Sequence, residues 1–181
     1  MDSGVALITL NAGISSRKGR PWYYQQNKTS IFKELFQAVK ESLFPIALGF
    51  IRIFLLSELD YQEHASEYGI HWNFYTTIAI VNLLIVFLRN ADHALPIAFA
   101  TLIGYELVIK EYNLEQFIFF APRTDFISAN REGLFSLVGY ISMQMIGIGI
   151  GNIFYKSVMT QDEIKLLKAG KPIEKTSKVH D

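Results

Sequence analysis

The stretch Gly133-Leu134-Phe135-Ser136-Leu137-Val138-Gly139-Tyr140-Ile141-Ser142-Met143-Gln144-Met145-Ile146-Gly147-Ile148-Gly149-Ile150-Gly151-Asn152-Ile153-Phe154-Tyr155 runs for 23 residues without a formal charge. A helix needs about 20 such residues to cross the hydrocarbon core of a bilayer. The stretch is therefore read as a membrane-spanning helix. Its glycines Gly147, Gly149 and Gly151 follow one another at spacing two. They suit close helix contact but are not read as a GxxxG motif.

Moving toward the N-terminus, three more apolar runs follow the same logic. Ala94 to Ile109 contains a single acid, Glu106. Trp72 to Leu88 has Asn73 and Asn82 as its only amides. Leu43 to Leu56 is broken by Pro45, Gly49 and Arg52. Val5 to Ile14 is too short to span. It reads either as the second half of a spanning helix whose first half is missing or as a short interfacial or buried segment. Between these runs, Ile31, Leu35, Phe36 and Val39 recur at helical spacing, with Lys33, Glu34 and Lys40 off that face, which predicts an amphipathic helix on the membrane surface.

Composition agrees with this reading. Of 181 residues, 50% are hydrophobic and 19% charged, so too little polar surface remains to cover this many apolar helices in water. The expected fold is all-α: a polytopic transmembrane helical bundle with four complete spans plus one truncated N-terminal span. Residues 1–155 would form the membrane core and 156–181 a polar tail. A net charge of zero offers no field to recruit nucleic acid, so no such partner is expected. With no cysteine, disulfides, thiolate catalysis and zinc–thiolate sites are excluded.

Charge also orients the chain. Segments 17–40, 89–93 and 156–181 together carry thirteen lysines and arginines, whereas segments 57–71 and 110–131 carry three. Basic connectors stay in the cytosol. The connectors 57–71 and 110–131 are therefore expected on the opposite, lumenal side.

Three places on the chain carry reactive groups. Arg52 lies within a span, where a guanidinium is costly. It suits a contact to phosphate or carboxylate, a structural pair with Glu106, or snorkelling to the interface. The connector Glu63-His64-Ala65-Ser66-Glu67-Tyr68-Gly69-Ile70-His71-Trp72-Asn73-Phe74, if helical, places His64, Glu67 and His71 on one face. A histidine beside a carboxylate suits a general base, able to take a proton from an alcohol attacking a thioester. The same residues also read as a polar helix entry, with Trp72 anchoring the interface and Asn73 capping. No recognised metal signature is present, and no metal is expected. Finally, Asn130-Arg131-Glu132 places an amide, a guanidinium and a carboxylate at the mouth of the last span. It suits either an anionic headgroup or ordinary capping, with Glu132 in the first helical turn.

At these residues the chain resembles the inositol acyltransferases of GPI-anchor biosynthesis, the PIG-W family. The segment from Glu63 to Phe74 resembles the family's hallmark. Met1-Asp2-Ser3-Gly4-Val5 resembles its MDxGV element, Leu48-Gly49-Phe50-Ile51-Arg52 its LGxxR span, and Ser128 to Ser136 its SANREGxFS element. The resemblance covers Met1 to about Tyr155. It implies a multi-pass endoplasmic-reticulum membrane enzyme that transfers a fatty acyl group, typically palmitoyl, from acyl-CoA to the inositol hydroxyl of glucosaminyl-phosphatidylinositol. Acyl-CoA would be a co-substrate, with no bound cofactor. The resemblance also implies further spans and an Asp and Lys pair ahead of Met1, so the chain is expected to be a portion of a longer enzyme. The candidates for catalysis are His64, Glu67 and His71. The candidates for substrate contact are Asp2, Arg52, Asn73, Asn130, Arg131 and Glu132. Two other functions compete: a transporter or channel working through mid-membrane Arg52, Asn82 and Glu106, and a non-catalytic membrane scaffold.

Overall fold

The computed structural model describes residues 3–21, 23, 30–58, 68–88, 90–169 and 171. Among these, all regular secondary structure is helical. Helix α1 (Ser3–Ser15) is followed by α2 (Ile31–Glu58), α3 (Phe74–Leu84), α4 (Ala94–Glu111), α5 (Leu114–Phe120), α6 (Phe126–Ala129), α7 (Arg131–Ser157) and α8 (Gln161–Lys168). Single 3-10 turns cover Arg17–Gly19, Ile85–Phe87 and Ala91–His93.

The quoted run becomes α7, 27 residues long, and the other helices assemble around it. Helix α1 lies parallel to it at very short range. A methyl group at Gly13 would sit 2.3 Å from the Gln144 carbonyl oxygen, and one at Gly147 would sit 2.2 Å from that of Leu10. Gly151 meets the Ile14 carbonyl in the same way, at 2.7 Å. Gly147 and Gly151 are four residues apart on one face, so this pair does form a small-xxx-small seam. Reading the glycines at spacing two misses it, because Gly149 lies on another face and abuts Leu95 of α4. Helix α4 runs antiparallel to α7, fixed by Tyr105 Oη donating to the Phe135 carbonyl at 2.7 Å and by Asn152 Nδ2 donating to Asp92 Oδ1 at 2.6 Å. Helix α2 runs antiparallel to α3, with Ser42 Oγ donating to the Ala79 carbonyl at 3.2 Å.

The packing is inverted relative to a water-soluble protein. Thr9, Ser42, Thr77, Ser142 and Asn152 are buried, while Phe32, Phe36, Phe44, Phe50 and Phe54 of α2 project outward, as do Phe99 and Ile103 of α4. Small and weakly polar residues let helices approach closely. Large apolar faces left outside on this scale suit a lipid surround.

One expectation changes. Residues 31–40 do not form a separate surface helix. They are the first turns of the 28-residue α2, which continues through Pro45. The inward stripe Glu34, Ala38 and Ser42 recurs every four residues, with Glu34 paired to Lys18 at 3.1 Å and Ser42 set against Ala79 of α3. Among the described residues, two helices are long and apolar enough by themselves to cross a membrane, Ala91–Glu111 and Arg131–Ser157, as a membrane helical protein requires. The Trp72 to Leu88 run yields a shorter helix because Asn73 caps it late and its last turn tightens to 3-10. Lys40, Glu41 and Arg52 punctuate the apolar part of α2. Beyond α7, α8 is entered through reciprocal hydrogen bonds between Thr160 and Glu163.

Candidate functional site

Helices α1, α3 and α7 begin at one end of the bundle, where α2 and α4 finish. Two segments far apart in sequence meet there. The Gly133 N–H donates to the Tyr68 carbonyl at 3.0 Å, and the Ile70 N–H donates to the Ala129 carbonyl at 3.0 Å. The His71 N–H donates to Asn130 Oδ1 at 2.7 Å. Three bonds thus clamp residues 68–71 onto the start of α7. The clamp requires glycine at two points. Gly69 has φ +109°, and a methyl there would lie 2.5 Å from the Asn130 Cα. A methyl at Gly133 would lie 2.3 Å from Trp72 Cδ1.

Gly69 also decides the geometry of the first candidate group. With its backbone left-handed and residues 68–73 outside any helix, a helical face shared by His64, Glu67 and His71 does not extend to His71. His64, Glu67 and Asp2 lie outside the described residues. The His71 side chain is exposed at this end, above its pinned backbone.

Asn73 and Asn130 are both buried and serve different purposes. Asn73 caps α3, accepting from the Thr76 N–H at 3.1 Å, and its Nδ2 donates to the Gly49 carbonyl of α2 at 3.1 Å. The capping reading therefore holds for Asn73, which also ties two helices together. Asn130 stands at the cap position of α7, yet its side chain makes no cap bond there. It spans two connectors instead, accepting from His71 and donating from Nδ2 to the Phe126 carbonyl at 2.9 Å. Arg52 lies three residues past Gly49 on α2, toward the same end, and is exposed. Glu106 is bridged to Lys110 one turn further along α4, at 3.0 Å.

Arg131 is buried and turned toward main chain. Its Nε donates to the Ile118 carbonyl at 2.7 Å, and it also binds the Ala121 carbonyl. These are carbonyls at the finish of α5, which has no further turn to pair them. Glu132 receives both terminal nitrogens of Arg123, with Nη1 to Oε2 at 3.0 Å, and Arg123 Nη1 also reaches the Ala129 carbonyl at 2.7 Å. Such a two-pronged pair holds connector 121–131 against α7. Asp125 completes the corner by capping α6, and the N–H groups of Ser128 and Ile127 hold its carboxyl below the usual carboxylate range. Sequence reading weighed Arg123 only as a topological charge. Its role appears once the loop folds back nine residues to Glu132.

The arrangement is a rigid polar platform on which an imidazole stays open. Asn73, Asn130 and Arg131 spend their polar atoms mainly on holding backbone, and Glu132 is paired with Arg123. His71 and Arg52 remain at the surface of the same end.

These features define an all-helical protein with membrane-type packing and a polar platform at one end of its helices. The GWT1 family model matches residues 1–179, and the chain belongs to that family. It is 38% identical over 158 residues to "GPI-anchored wall transfer protein 1" of Kluyveromyces lactis, covering 86% of this chain and 35% of that protein. It is 34% identical over 164 residues to the protein of that name in Gibberella zeae, covering 83% and 32%. It is 38% identical over 110 residues to "Phosphatidylinositol-glycan biosynthesis class W protein" of Dictyostelium discoideum, covering 60% and 22%. The chain spans about a third or less of the length of these relatives.

Proposed function

We propose that this chain forms part of a membrane O-acyltransferase of GPI-anchor biosynthesis, acting in the endoplasmic-reticulum membrane. The substrates are acyl-CoA and glucosaminyl-phosphatidylinositol. The observation that carries the reading is the clamp between residues 68–71 and 129–133. It unites, at one end of the helices, two of the segments through which the chain resembles inositol acyltransferases. The names of the relatives support the pathway.

In the proposed reaction the inositol oxygen attacks the thioester carbonyl carbon. A C–O bond forms, the C–S bond breaks, and the hydroxyl proton passes to a base while coenzyme A leaves as its thiol. His64, Glu67 and His71 are the candidate bases, and of these His71 lies at this end. Arg52 and Asp2 are candidates for contact with the substrate headgroup. Asn73, Asn130, Arg131 and Glu132 act as positioning residues, because their side chains set the backbone that presents His71. In this reading α1 to α4 and α7 are the membrane helices, segments 57–71 and 110–131 face the lumen, and segments 17–40 and 156–181 face the cytosol.

The test replaces the matching segment of a full-length relative with residues 1–155 of this chain. Membranes from cells deficient in inositol acylation then receive labelled acyl-CoA. Labelled, inositol-acylated lipid is the expected product. An intact, membrane-inserted hybrid that makes none would overturn the proposal.

A further inference from the structure

The opposite end of the bundle holds a second polar site that the platform does not use. A cleft of about 340 Å³ opens between the last turn of α1, the Arg17–Gly19 turn, the first turns of α2, the last turns of α3 and the middle of α7. This volume is at the lower end of small-molecule sites. Its wall includes Asn82 and Gln144. Gln144 is the fourteenth of the 27 residues of α7, so the cleft reaches the midpoint of that helix.

Gln144 is 5% exposed. Its Nε2 donates to Asn82 Oδ1 at 3.4 Å, and its Oε1 has no hydrogen-bond partner among the described residues. A buried amide oxygen without a donor is expensive, by about 1–3 kcal/mol, and in a membrane helix no lipid tail supplies one. The group that satisfies it must bring an O–H or N–H into the cleft.

The charges around the cleft narrow the chemistry. Arg17 and Lys18 are matched by Glu34 and Glu41. Lys18 Nζ is engaged by Glu34 Oε2 at 3.1 Å and by the Leu88 carbonyl at 3.1 Å. Glu41 Oε1 accepts from Gln37 Nε2 at 3.0 Å. An anion would meet two carboxylates and a cation would meet two basic groups. A neutral group that both donates and accepts suits a balanced lining, and a hydroxyl does both.

We propose that this cleft binds a neutral, hydroxyl-bearing ligand, one of whose hydroxyls donates to Gln144 Oε1. The ligand is either a sugar-type lipid headgroup drawn from the membrane or a free polyol from water. The site is independent of the acyl-transfer reading, and its test does not use acyl transfer.

The chain has no cysteine, so a single reporter is clean. Ala38→Cys lines the cleft. The full chain is placed in phosphatidylcholine vesicles and its reaction with a water-soluble maleimide is timed. One arm adds glycerol, and the other adds a neutral glycosyl-diacylglycerol to the vesicles. Slower labelling in either arm identifies the source, with about a tenfold reduction expected at ten times the half-protecting concentration. Protection should vanish in Gln144→Leu and in Gln144→Met, the second of which keeps an unbranched side chain if the first disturbs folding. Labelling that neither probe slows marks a cleft open to water alone and overturns the proposal. Equal protection by inorganic phosphate or by ammonium, or protection that survives both Gln144 variants, overturns it as well.

Discussion

Replacing Gly147 with alanine tests the seam on which the bundle is built. The new methyl would lie 2.2 Å from the Leu10 carbonyl oxygen and 3.0 Å from the Gly13 Cα and Ile14 N. Carbon-to-oxygen contacts normally begin near about 3.3 Å, so α1 must retreat by roughly 1 Å. Because the opposing atoms are backbone, no side-chain rotation relieves the overlap. Overpacking of this kind costs about 1–3 kcal/mol. For a chain of this size each kcal/mol moves the midpoint by about 2–4 °C, which gives a fall of about 2–12 °C. Gly104→Ala on α4 is the control, since a methyl there meets nothing within 4 Å. It should hold or raise stability, by about 0.5–1 kcal/mol at most, through its helix preference. Thermal unfolding of the purified chain in detergent, followed by tryptophan fluorescence in a Trp22→Phe background that leaves Trp72 as the reporter, gives both midpoints. A Gly147→Ala midpoint no lower than that of Gly104→Ala would refute the close α1–α7 packing.

Other expectations follow from the platform and the spans. Arg123→Ala should lower stability by about 1–3 kcal/mol by leaving the Glu132 carboxylate without its forked partner, and adding Glu132→Ala should recover part of the loss in a double-mutant cycle. Tyr105→Phe removes the bond to the Phe135 carbonyl and should cost about 0.6 kcal/mol, read by the same unfolding assay. Asp125 has a depressed pKa in the folded chain, so its stabilising effect is full above its unfolded pKa and is lost as pH falls through the folded one. The protection factors of α6 amides, measured against the intrinsic exchange rate at each pH, should therefore fall as pH drops below the usual aspartate range, and Asp125→Asn should flatten that dependence. In a full-length relative carrying this segment, His71→Ala should abolish acyl transfer without changing yield, whereas Asn130→Ala should lower both. Unchanged acylation in His71→Ala would remove that imidazole from the reaction.

The helical character was legible because uncharged runs of membrane length leave few alternatives, and the α7 run reads correctly from end to end. The single course of α2 was not. Its charged first turns and Pro45 look like boundaries, yet one helix runs through both, with Glu34, Ala38 and Ser42 buried in a stripe at every fourth residue. The site was half legible. The residue types in 63–74 and 128–136 draw attention, and the capping role of Asn73 follows from its place before an apolar run. The clamp does not follow, because it is made by main-chain groups of Tyr68, Ile70 and Ala129 whose pairing no local pattern encodes. Gly69 was the one local sign, since it breaks the helix that would have aligned His64 with His71. Arg123 and Gln144 escaped notice for a related reason: their meaning depends on what folds beside them.

The clamp itself is open to direct measurement in this cysteine-free chain. Ile70→Cys and Ala129→Cys replace residues whose backbones share a 3.0 Å hydrogen bond, close enough for a disulfide to be sought. A protease site inserted at Asn113 separates them in sequence. In membranes treated with a mild oxidant, the cleaved halves should stay joined on a gel and part on reduction. Halves that separate under oxidant, while both thiols still react with a maleimide, would contradict the joining of the two connectors into one face.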